Sequence, residues 1–108
     1  MSSELSSLER ALIEIIASEH WPGFRTDRLR VVRRDSTGAG MYIELDDEAA
    51  QPLPDGTFAA QGRLLEMDGV PSGLAVLADV SGGRINHLEL AVYGNEGWDG
   101  VERPWRIT

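Results

Sequence analysis

The apolar positions of the first twenty residues recur at helical spacing. Leu5, Leu8, Leu12, Ile15 and Ile16 fall at steps of three and four, the stripe of an amphipathic helix. Ser6 and Glu9 form an S-x-x-E capping box, in which each side chain satisfies an orphaned backbone N–H. Arg10 and Glu14 pair along the polar side. Pro22 disfavours helical geometry at Trp21, and Gly23 marks the stop, so the pattern predicts a helix over about 5–20.

After the connection WPGFRTDR (21–28), the period changes from helical to two. LRVVRR (29–34) reads as one strand; in the next, 41–45, Met41, Ile43 and Leu45 alternate with Tyr42 and Glu44. The acidic, proline-containing stretch 46–56 is a loop. A strand over 57–67 meets Asp68-Gly69, a two-residue hairpin signal. A strand over 72–80 ends at Ser81-Gly82-Gly83-Arg84, a second one, and leads into 85–93. The tail VERPWRIT carries Val101, Trp105 and Ile107, enough to pack back on the body. These elements predict a single α+β domain: one N-terminal helix on one face of an antiparallel sheet of about five strands, largely a meander.

With two-residue loops at both turns, Leu77 lies opposite Leu88 and Ala60. One face then collects Phe58, Ala60, Leu64, Ala75, Leu77, Leu88, Leu90 and Val92 for the helix to cover. The other collects Gln61, Arg63, Leu65, Leu74, Val76, His87, Glu89 and Tyr93. Pro71 predicts a bulge or late pairing at the start of the middle strand. A slip of one residue would exchange the faces.

The 108 residues fit one core, and a hydrophobic content of 42% is that of a folded chain. Cysteine is absent, which excludes disulfides, thiolate metal sites and thiol catalysis. Eighteen acidic residues against ten basic ones, all arginine, give a net charge of −8. That charge disfavours nucleic acid and anionic membranes and speeds encounter with cationic partners. The start lacks a basic segment ahead of its apolar stretch, and no apolar run approaches the ~20 residues that span a bilayer, so a cytoplasmic location is expected.

Candidate chemistry is sparse. His20 falls at the helix C-terminus, where a cation suits the dipole. His87 shares a strand face with Glu89, yet no H-x-H, H-x-x-x-H or facial-triad spacing is present. The acids Glu44, Asp46, Asp47, Glu48 and Asp55 lack the spacing of a calcium loop and read as a solvated run suited to a basic partner. Arg25, Arg28, Arg30, Arg33 and Arg34 crowd a segment placed near a sheet edge, where they block edge pairing and can pair with the acidic loop. The glycines of STGAG and SGG are turn glycines, and neither serine nor carboxylate groups match a catalytic constellation. Trp98, in GNEGWDG, is either an exposed interaction anchor or a core residue folded over the sheet end.

Trp21-Pro22-Gly23, Asp68-Gly69-Val70-Pro71 and the run from Leu88-Glu89 to Tyr93 give the chain a further likeness. It resembles short bacterial α+β proteins with a leading helix, a Pro-Gly connection and a sheet ending in a glycine hairpin. The resemblance implies that fold and no activity. The expected function is therefore that of a protein-binding module without cofactor or metal, most concretely an immunity (antitoxin-like) protein neutralising a basic toxin such as a nuclease. Its expected binding residues are Glu44, Asp46, Asp47, Glu48, Leu74, Val76, His87, Glu89, Tyr93 and Trp98. The alternatives are a small enzyme or metal-binding domain built on His87 and Glu89, and a structural homo-oligomer joined through the second sheet face.

Overall fold

A computed structural model describes residues 4–108 as one helix and seven strands. They are α1 (Ser7–His20), β1 (Leu29–Ser36), β2 (Gly40–Asp47), β3 (Gly56–Ala59), β4 (Leu65–Met67), β5 (Val70–Ser81), β6 (Arg84–Val92) and β7 (Trp105–Ile107). The expected α+β class is what forms: one helix packs on one face of an open antiparallel sheet. Strands run in the order β1-β2-β6-β5-β4-β7, with β3 also pairing β5. Long β5 therefore has β6 along one edge and two short strands, β3 and β4, end to end along the other. The tail packs back as expected, as edge strand β7 on β4.

The helix starts as its capping box dictates. Ser6 Oγ accepts from the Glu9 amide at 3.1 Å, and the Glu9 carboxylate accepts from the Ser6 amide at 2.8 Å. Glu9 also takes both arms of Arg34 from β1 at 2.7 Å while itself only 2% exposed. That hydrogen bond outweighs the opposing effect of burial and pushes the Arg34 pKa further up. At the other end, His20 Nε2 lies 2.9 Å from the Ala59 carbonyl oxygen, and Glu19 accepts from the Gln61 amide. The helix thus runs from β1 across the sheet to β3. Its core stripe is Leu8, Leu12, Ile13, Ile16 and Ala17.

The helix leaves sheet uncovered on both flanks, and two loops close them. On one side Trp21 meets Phe24 and Phe58 edge-on, beside the loop carrying Leu53, whose amide bonds to the Gly83 carbonyl. On the other, Trp98 lies buried with Met41, Ile43 and Leu90 about a common small cavity.

Two expectations are corrected. The strand over 57–67 is split, because Ala60–Leu64 leaves the sheet through Gly62, at φ +69°. This split and the tail strand β7 raise the strand number from about five to seven. The middle strand also turns over. Ser81↔Arg84 and Val80↔Ile85 pair as a two-residue loop demands, but the next pair is Asp79↔His87, so Asn86 is an extra residue. Its side-chain amide, bonded to Ser81 and to the Arg84 carbonyl, holds the bulge in place. Every later pair shifts by one. Leu77 faces Glu89 rather than Leu88, and Leu74, Val76, Ala78 and Val80 turn toward the core. The bulge expected from Pro71 does form: pairing slips between Met67↔Val70 and Leu65↔Leu74. Gly73 sits there at φ +76°, where a Cβ would lie 2.8 Å from the Leu65 carbonyl oxygen.

Replacing Glu9 by alanine removes the capping box and strands the Arg34 charge together. The loss should be about 2 kcal/mol in urea denaturation, below the roughly 3–5 kcal/mol of a fully buried pair because Arg34 can reach water. Losing Arg34 and Glu9 together should cost less than the sum of the single losses.

Candidate functional site

Among the described residues, no other element covers the face of the sheet opposite the helix. Alternation on each strand decides what it carries. On β2, Ile43, Leu45 and Asp47 point to the core, leaving Tyr42, Glu44 and Asp46 outward. On β6 and just past it, Leu88 and Leu90 point inward, leaving His87, Glu89, Ala91 and Tyr93 outward. The turned-over β5 adds Ala75, Leu77 and Asp79.

Cross-strand pairing assembles these into rows. One row runs Arg33, Glu44, His87, Asp79, Thr57 across five strands. The next runs Asp35, Tyr42, Glu89, Leu77, Ala59. His87 therefore stands between two carboxylates, and its ring lies against Tyr42 with centroids 4.5 Å apart. His87 Nδ1 is buried and makes no hydrogen bond among the described residues. Arg33 binds Glu44 at 3.5 Å and Asp35 at 2.9 Å, and Thr57 Oγ1 reaches Asp79 at 3.5 Å. The surface is net acidic and broken by exposed apolar groups: Tyr42, Leu77 and Tyr93 are 37%, 39% and 48% exposed.

Of the ten residues expected to bind, the structure brings five together on this face: Glu44, Asp46, His87, Glu89 and Tyr93. The others lie elsewhere. Leu74 is 1% exposed and Val76 packs on the core, because the Asn86 bulge turned their strand over. Asp47 is buried on the core side, and its two oxygens accept from the Ala49 and Gln51 amides and from the Gln51 side chain, which folds the loop after β2. Glu48 is held by Arg28 and Arg30, the pairing anticipated between the arginine-rich strand and the acidic loop. Trp98 is core, 5% exposed, with its indole N–H donated to the Val101 carbonyl at 3.0 Å. Sequence reasoning missed Tyr42, Leu77 and Asp79. The alternation of β2 already set Tyr42 beside Glu44, whereas Leu77 and Asp79 were hidden by the slipped register.

No three His, Asp or Glu side chains among the described residues converge in metal-binding geometry. Among the described residues no helix is long and apolar enough to cross a membrane. The chain matches no family model, no curated protein and no solved structure, so the site stands on its own residues.

Exchanging Leu77 for lysine should change stability by less than about 1 kcal/mol, because its side chain already meets water. The same change at Leu74 places a charge in the core and should abolish cooperative folding or remove about 4 kcal/mol. Thermal denaturation of the two variants compares the strand's faces directly.

The Trp98 loop has a pH limit of its own. The Arg103 guanidinium, with help from the Val101 amide, holds the Asp99 carboxyl at about 2, below its ordinary 3.8. A carboxylate with a lowered pKa stabilises fully above its unfolded value and loses that contribution as pH falls through the folded one. Wild type should therefore exceed Asp99→Asn in melting temperature above pH 3.8, and the gap should close by a pH of about 2.

Proposed function

We propose that the chain is a cytoplasmic protein-binding module that docks a cationic protein on the open face of its sheet. Most concretely, it acts as an immunity-type protein that neutralises a basic toxin such as a nuclease. The observation that carries this reading is the composition of that face: Tyr42, Leu77 and Tyr93 exposed among Glu44, Asp46, Asp79 and Glu89. Aromatic and leucine side chains supply the desolvated contact, and the surrounding carboxylates steer and register a basic surface. A net charge of −8 extends the attraction beyond the contact.

Carboxylates on such a face also mimic the phosphates that a nuclease grips, so occupation and inhibition follow from the same contacts. A homodimer through this face would set like charges against each other, which favours a cationic partner over a second copy.

The test uses a basic toxin domain encoded beside the gene. Its association rate should fall about tenfold or more between low salt and ~0.5 M salt. Reversing Asp79 and Glu89 to lysine should weaken binding at least about tenfold, while Glu14→Lys on the exposed side of α1 leaves it unchanged. Binding indifferent to salt and to both reversals would overturn the proposal.

A further inference from the structure

Along its outer edge β5 pairs β3 through Leu77–Val80 and β4 through Val70 and Leu74, which leaves Ala75 and Val76 without a strand neighbour on that side among the described residues. A cavity of about 120 Å³ occupies this gap. Its inner wall is apolar: Leu12 and Ile15 from the helix, Leu65 and Leu74 from the strands. Its rim carries exposed Arg63 and half-exposed Tyr93.

Arg63 and Arg84 are the two arginines whose side chains make neither an ion pair nor a hydrogen bond among the described residues, and of the two it is Arg63 that lines this cavity. Arg25, Arg28, Arg30, Arg33, Arg34, Arg103 and Arg106 are each paired with a carboxylate, in a chain where acids outnumber arginines. An unpaired guanidinium at the mouth of an apolar slot is complementary to a ligand with an anionic head and a short hydrocarbon tail.

We propose that this cavity binds a small aliphatic carboxylate. The tail enters between α1 and β5, and the carboxylate accepts from Arg63, with the Tyr93 hydroxyl as a second donor. An apolar cavity of ~150 Å³ takes a benzene-sized molecule, so a tail of roughly five or six carbons suits this one. The net charge of the protein repels anions at long range, so recognition depends on the short-range contact with Arg63.

Hexanoate is the probe, followed by amide chemical shifts of the whole labelled chain. Saturable shifts at Leu65, Leu74 and Tyr93 below ~20 mM are expected, an affinity ordinary for a ligand of this size. Arg63→Ala, at an exposed side chain without partners, should fold normally by circular dichroism and bind hexanoate at least about fivefold more weakly. Hexylammonium, with the same tail and the opposite charge, should bind more weakly still. Absence of saturable shifts, equal affinity for the two head groups, or an Arg63→Ala variant that binds like wild type would each overturn the assignment.

Discussion

Everything in this fold depends on one helix having to cover the breadth of a sheet. Fourteen residues span about 21 Å at 1.5 Å each, and the four strand spacings from β1 to β3 come to about 19 Å. The helix is therefore just long enough, and it is tied at both ends: Glu9 to Arg34 on β1, and His20 to the Ala59 carbonyl on β3. With no second helix among the described residues, the flanks fall to the Trp21–Leu53 and Trp98 loops, and the far face of the sheet stays open. The proposed binding surface is what remains after a single helix has been used on the core.

The parts of the fold that were legible in the sequence are those governed by local rules. The capping box, the stripe of Leu8, Leu12 and Ile16, the Pro22 stop and the alternation of β2 each act within a few residues, and each took its expected form. What was missed is non-local. A single residue, Asn86, inserted opposite the β5 strand, inverts every side chain beyond it, and periodicity alone cannot distinguish Leu74 from Leu77 as the inward residue. The break at Gly62 had a signal, a glycine between two halves of an over-long strand, which also fits a plain glycine within one strand.

The candidate site was legible in the same uneven way. Glu44, His87 and Glu89, each expected to bind, share the open face because alternation along β2 and β6 turns them outward, while Tyr42 on the same face was missed. Residues whose roles depend on a side-chain partner were not legible. The two oxygens of Asp47 are engaged by backbone amides, Glu48 is held by two arginines, and the Trp98 indole has its own carbonyl partner. An acidic or aromatic residue in a loop is thus as often a clasp as a contact, and only three-dimensional partners separate the two.

The strand order also governs how the molecule comes into being. β6 is the hinge of the sheet, pairing β2 on one side and β5 on the other, yet it is the last long strand in the chain. Until residues 84–92 leave the ribosome, β1–β2 and β3–β4–β5 are separate hairpin-like pieces, and the helix has no continuous surface on which to lie. Such late, long-range closure makes folding slow relative to local helical folds of equal size. Until then the apolar stripe of the helix has no continuous sheet to cover it, and the net charge of −8 sets neighbouring unfolded chains against one another.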